Sequence, residues 1–248
     1  VSTLKNIERI VPRPRYSALL ERTVAAVRQQ VGNLRAAFAW SGGKDSMALD
    51  VVCRAAKIGR CVYGMTDHLE YAAFLQWVTD HMPPGLEIHK NGWDLRWLAN
   101  NQDMLFPQDA TTAAKWFKGV QHKAQEVFYR KHRLGILLLG RRRIDGNFVG
   151  RNGDSIYESR GIVRYSPIAD WSHEDVLACL HYEGLATDLP PFYGWPRGYR
   201  CGTHAWPARQ WCRGIRHGWQ EVYSIEPGRV LEAAKLIASA REFLEVVK

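Results

Sequence analysis

The chain has 248 residues and a mass of 28.4 kDa, with 46% hydrophobic and 24% charged residues; this globular composition excludes wholesale disorder and suits one large domain, or a domain with an appendage. Lys and Arg outnumber Asp and Glu by 34 to 25, a net charge of +9 with a pI near 9.4, which favours a polyanionic partner or a strongly anionic substrate. No apolar run approaches the roughly 18 residues that span a bilayer, the basic stretch 1–15 has no apolar signal core, and five cysteines without a CxxC argue against a disulfide framework or a simple zinc or iron–sulfur site, so a reducing cytoplasm is expected.

Residues 16–31 carry Tyr16, Leu19, Leu20, Val24, Val27 and Val31 at helical spacing and stop at Gly32 and Asn33. Leu34 to Trp40 is a short apolar run of buried-strand type, ended by the hexapeptide SGGKDS at 41–46. Residues 46–58 read as a helix with Gly59 as its stop. A second strand is expected at Cys61 to Met65, a helix from Glu70 to His81, a break at Pro83-Pro84-Gly85, and a third strand at Leu86 to Lys90. A basic helix follows over 110–134. Gly135 to Gly140 is a further buried strand that runs into Arg141, Arg142 and Arg143. Residues 146–161 read as a polar loop. Ser172 with an acid three residues later predicts a capped helix to about Tyr182, and Pro227 opens a last helix to about 247. Strands alternating with helices predict an α/β fold, a Rossmann-like parallel sheet with helices on both faces. The expected organisation is a helical extension over 1–33, a nucleotide-binding core over 34–190, and a basic aromatic segment with a closing helix over 191–248.

The hexapeptide carries the chemistry. Gly42 and Gly43 let the backbone turn sharply and approach a ligand. The following helix offers unpaired N–H groups and the positive end of its dipole to an anion. Lys44 adds a point charge, and Ser41 and Ser46 add hydroxyls. The set suits a phosphate chain. A Walker loop and a G-x-G-x-x-G fingerprint are both absent.

This stretch resembles the pyrophosphate loop of the adenine nucleotide alpha-hydrolase superfamily. Within it the chain is similar to the phosphoadenylyl-sulfate reductase family, over about 34–205. Further marks are Gly140-Arg141-Arg142 after an apolar strand, the stretch YSPIADWSHEDV at 165–176, and Pro191-Phe192-Tyr193 followed by Gly198-Tyr199. The resemblance implies an enzyme that splits ATP into AMP and pyrophosphate. It implies that Ser41, Gly42, Gly43, Lys44, Asp45 and Ser46 hold phosphates, with Gly140 beside them. It implies that Met65, Thr66 and Asp67 lie beside the adenosine and that Arg141 and Arg142 reach phosphate or sulfate. Lys44, Asp45, Arg141 and Arg142 are then the catalytic candidates. ATP is the expected cofactor with Mg2+, for which Asp45 or Asp67 would be the carboxylate ligand.

The chain departs from the reductases of that family. Their nucleophilic cysteine lies in an E-C-G-x-H motif at the C-terminus, whereas this chain ends REFLEVVK. Cys201-Gly202-Thr203-His204 fits C-G-x-H, but 44 residues follow it. A reductase using Cys201 is therefore the alternative reading, and a non-catalytic nucleotide-binding subunit is a third. Cys53 and Cys179 read as core, Cys212 stays undecided, and no iron–sulfur cluster is expected.

From Leu189 to Gln220 no acidic residue occurs. Arg197, Arg200, Arg209, Arg213 and Arg216 alternate with aromatic residues that include Tyr199, Trp206 and Trp219. Arginines neutralise phosphates and aromatic faces stack bases, so Arg197, Tyr199, Arg200, His204 and Arg209 are the candidate substrate-binding residues. A short, basic, cysteine-poor member fits the DNA phosphorothioation branch, the ATP pyrophosphatases called DndC and SspD. That branch implies a DNA backbone as acceptor, a sulfur-donor protein such as a cysteine desulfurase as partner, and no membrane; an oligomer stays open.

Overall fold

A computed structural model describes residues 6–186, 189–190, 204–210 and 212–247. One six-stranded sheet has the order β3-β2-β1-β4-β6-β5. Its strands are β1 (Ala36–Ala39), β2 (Cys61–Met65), β3 (Leu86–Lys90), β4 (Ile136–Leu138), β5 (Ile156–Ser159) and β6 (Ile162–Tyr165). β1 pairs in parallel with β2 and β4, and β4 pairs in parallel with β6. β5 alone is shown antiparallel, on β6. Helices surround the sheet, so the α/β Rossmann-like expectation is met. No helix among the described residues is long and apolar enough to cross a membrane.

The chain divides into two compact units. The first holds residues 1–63, 82–87 and 127–190, and the second holds 64–81, 88–126 and 191–248. In the first unit, β1 and β4 supply Ala37, Phe38, Ile136, Leu137 and Leu138, all at most 1% exposed. Buried aliphatic and aromatic side chains of this kind contribute about 1.5–3 kcal/mol each. Helices α2 (Arg13–Val31), α3 (Lys44–Ala55) and α8 (His173–Tyr182) pack on one another, and the short α1 (Ile7–Ile10) packs on α8. The capping box expected at α8 is present: Ser172 Oγ accepts from Asp175 N–H, and Asp175 Oδ2 accepts from Ser172 N–H.

Two sequence expectations change in this unit. Helix α3 begins at Lys44 rather than at 46, because Gly43 is extended (φ −70°, ψ 152°) and the chain turns helical directly after it. The stretch expected to be a polar loop contains β5. Arg160 (φ 56°) and Gly161 (φ 73°) form a two-residue connection in which both residues have positive φ, the backbone that matches the twist of a tight hairpin. An arginine in the first of these positions is not a usual turn signal, which hides the hairpin in the sequence.

The second unit contains α4 (Ala72–His81), α5 (Leu95–Asn100), α6 (Ala110–Phe117), α9 (Ile215–Ile225), α10 (Pro227–Ala233) and α11 (Ala238–Val247). The expected basic helix over 110–134 is real but interrupted. A π-helical turn at Lys118–His122 separates α6 from α7 (Lys123–His132). Two glycines make that turn packable. A Cβ on Gly119 would run into the Trp93 ring, and a Cβ on Gly64 would stand 2.5 Å from the Val120 carbonyl. The last helix is likewise two, α10 and α11, and α9 precedes them. These three pack together into a helical cluster.

Candidate functional site

The first unit builds a turn around the hexapeptide. Gly42 sits at φ 73°, in the left-handed region that favours glycine. Ser46 Oγ accepts a hydrogen bond from Ser41 N–H at 3.1 Å and donates to Gly43 O at 2.8 Å. One side chain thus ties both arms of the turn. Gly43, the N-cap of the 12-residue α3, gives no side-chain cap. The first N–H groups of α3 therefore have no side-chain acceptor from the N-cap, and the dipole leaves partial positive charge there.

Gly140, just beyond β4, presses against this turn. A Cβ at Gly140 would meet Asp45 O at 3.0 Å and Ser46 N at 3.3 Å. Glycine is therefore what lets the two segments approach, and it joins two motifs that lie about a hundred residues apart in sequence.

Charge is arranged beneath the turn. Lys44 Nζ lies 2.8 Å from Asp45 Oδ1, and Arg142 Nε lies 2.8 Å from the same oxygen. Arg142 is 1% exposed and also reaches Asp145 Oδ2 at 2.9 Å and the Trp171 carbonyl at 3.4 Å. It thus braces the first turn of α3. A guanidinium fork suits the task because it can hold two carboxylates at once. Asp45 is correspondingly occupied by two cations. Arg141 donates to Tyr157 Oη at 3.0 Å and to the Phe148 carbonyl at 3.3 Å, which orients it along the β5 side.

The second unit holds the remaining candidates. Met65 ends β2, and its carbonyl accepts from Asn91 N–H. Asp67 N–H donates to the Trp93 carbonyl at 2.9 Å, and the Asp67 carboxylate faces Lys90 Nζ at 3.8 Å. Thr66 is fully buried. Its N–H and its Oγ1 donate to the two oxygens of Glu70, each at 2.8 Å, and Thr66 Oγ1 accepts from Leu69 N–H at 3.1 Å. Glu70 is 1% exposed, and burial pushes its carboxyl up to about 7 against the pull of the Thr66 donors and Lys90.

Sequence reasoning placed Glu70 at the start of a helix and missed this role. Here it pairs in an isolated bridge with Ala205, its side chain turns back to Thr66, and α4 begins at Ala72. An acid four residues after a threonine at a strand end is the signal that could have found it.

His204 lies against Phe74, ring centroids 4.2 Å apart. Arg209 is 5% exposed and pairs with Glu221 Oε2 at 2.8 Å. The Arg209 guanidinium thus finds a carboxylate on α9 inside the unit. Arg197, Tyr199, Arg200 and Cys201 lie outside the described residues. Asp145 and Tyr157, which hold Arg142 and Arg141, were not singled out from the sequence; neither has a local motif.

Known proteins resemble this chain. A phosphoadenylyl-sulfate reductase from Candida auris, solved as a phosphate complex, is similar over 77% of this chain and 94% of that one, with 15% identity and a TM-score of 0.52. An FMN adenylyltransferase from Candida glabrata, solved with FAD and inorganic pyrophosphate, matches over 67% of this chain and 56% of that one, with 14% identity and a TM-score of 0.44. No curated protein matches the sequence. The first of these likenesses supports the fold alone. The profile of the phosphoadenosine phosphosulfate reductase domain matches residues 35–194, more than half of the chain, from the first strand through the turn and its braces, and the protein belongs to that family.

Proposed function

We propose that the protein is an ATP pyrophosphatase. In this reading an acceptor oxygen attacks the alpha phosphorus, the bond from that phosphorus to the bridging oxygen breaks, AMP stays on the acceptor, and pyrophosphate leaves with the bond's electron pair. The observation that carries the reading is the α3 N-terminus: Gly42 in the left-handed region, an N-cap without a side-chain cap, and Lys44 at the first helical position.

Each residue has work in that scheme. The N–H groups of the 43–46 turn donate to the beta and gamma phosphates, whose developing charge they would meet without reorganisation. Lys44 leaves Asp45 for a phosphate oxygen, and Arg142 keeps Asp45 neutralised when it does so. Ser46 keeps the turn closed. Arg141 contacts phosphate from the β5 side. Thr66 and Asp67 bind adenosine, with Glu70 fixing Thr66. Mg2+ would screen phosphate charge when it accompanies ATP, with Asp45 or Asp67 as the carboxylate that would hold it.

The acceptor we propose is a DNA backbone, with sulfur delivered by a separate protein such as a cysteine desulfurase. The +9 charge supports a polyanion. Reduction through Cys201 has no observation among the described residues to favour it.

The deciding experiment is a product assay with labelled ATP. Pyrophosphate, with the AMP free or carried on the acceptor, is expected and should be lost in Lys44→Ala; ADP and phosphate, or no turnover with DNA present, would overturn the reading. For the acceptor, DNA affinity measured at two salt concentrations should fall as salt rises. An affinity insensitive to salt removes DNA from the proposal and leaves the ATP chemistry standing.

A further inference from the structure

We propose that Cys212, His217 and Glu221 form a zinc-binding site in the second unit, separate from the nucleotide turn and independent of the ATP reading. Their ligand atoms all lie within 4.8 Å of one another. Local structure explains the grouping. His217 and Glu221 are four residues apart on α9, so they stand on one face of the helix. Cys212 precedes the helix, and Gly214 at φ 89° turns the chain so that the thiol faces the same side.

The distances suit a tetrahedral ion. Cys212 Sγ is 3.6 Å from Glu221 Oε2, and His217 Nε2 is 3.8 Å from Glu221 Oε1. Zinc bonds of about 2.0–2.3 Å place neighbouring donors roughly 3.3–3.5 Å apart in a tetrahedron. The two separations run to different carboxylate oxygens, so a rotation of the Glu221 carboxylate and a contraction of the group from within 4.8 Å would bring one oxygen, the sulfur and the nitrogen to that spacing. A sulfur, nitrogen and oxygen donor set favours Zn2+ over Mg2+ or Ca2+, which take oxygen alone.

The surroundings are of the kind that orient metal ligands. Arg209 Nε holds Glu221 Oε2 at 2.8 Å and fixes the carboxylate plane. Cys212 is 4% exposed, and a buried thiolate favours a neutralising cation beside it. His217 Nδ1 accepts a long hydrogen bond from Arg213 N–H at 3.3 Å, so the neutral ring keeps its proton on Nε2. Binding releases the thiol proton to solvent and moves the imidazole proton from Nε2 to Nδ1, which gives up that long bond. Water completes the four ligands. The ion would tie Cys212 to α9.

The test uses the purified full chain. It is loaded with one equivalent of Zn2+ and dialysed, and bound zinc is measured by mass spectrometry. One zinc per chain is expected, with at least about tenfold less in Cys212→Ser and in His217→Ala. Loading with Co2+ instead should give a thiolate-to-cobalt charge-transfer band, absent in Cys212→Ser. The band and the zinc count in the unaltered chain need no variant to fold, and His217, being partly exposed, is a mild truncation. No retained zinc in the unaltered chain overturns the proposal. So does zinc content unchanged in both variants, which would place the metal elsewhere.

Discussion

Arg142 Nε and Asp45 Oδ1 stand 2.8 Å apart, the guanidinium buried and the carboxylate at the first turn of α3. Through this pair the strand that precedes Arg142 reports to the turn that begins with Ser41. Removing the guanidinium in Arg142→Ala leaves Asp45 and Asp145 without their shared cation. Both carboxylates keep some solvent, so the loss should be about 2 kcal/mol, read by urea unfolding. Arg142→Lys should recover only part of it, because an ammonium does not fork between two carboxylates.

Gly140, Gly42 and Gly43 differ in what they can tolerate. Gly140→Ala forces a Cβ to 3.0 Å from Asp45 O, so the turn must shift by a few tenths of an ångström. Nucleotide affinity should fall while the melting temperature changes little. Gly42→Ala strains a φ of 73° and should cost about 1 kcal/mol. Gly43→Ala meets only Ser41 Oγ at 3.5 Å and should be close to neutral. Calorimetric titration with ATP ranks all three.

Ser46→Ala removes both the acceptor for Ser41 N–H and the donor to Gly43 O. The turn loses its internal tie. About 1 kcal/mol of stability is expected to go, and hydrogen exchange at Ser41 N–H should quicken while the amides of β4 stay protected.

Glu70 gives a pH signature. Its carboxyl rises from an ordinary 4.5 to about 7 through burial, so the folded chain binds a proton that the unfolded chain has released between those values. Stability from this group is full below pH 4.5 and is lost as pH rises to about 7, by about 3 kcal/mol. Glu70→Gln keeps an acceptor for Thr66 N–H and cannot ionise. Its stability should be flatter across that window, as urea midpoints at intervals of pH would show. Parallel curves for the two proteins would disprove the linkage.

Much of this protein is written locally. The apolar runs at 34–40, 61–65 and 135–140 form strands because little but burial suits them. The SGGKDS turn needs only its two glycines and a following helix, and the Ser172 capping box needs only a serine and an acid three residues apart. The hairpin at 156–165 and the π-helical turn at 118–122 were hidden. Arg160 is no ordinary turn residue, and Gly119 and Gly64 matter only for what packs on them.

The sequence by itself determined that a glycine turn and a helix start with a lysine follow the first strand, since conformational freedom within six residues suffices for that. Tertiary structure alone decided the partners of that turn and of the basic segment. Arg142 lies nearly a hundred residues from Asp45, and whether an arginine meets solvent, a carboxylate or a ligand depends on what the fold brings beside it. The same packing buried Arg209 against Glu221, turned Glu70 toward Thr66 and gathered Cys212 with His217, because desolvated polar groups must find one another across the chain.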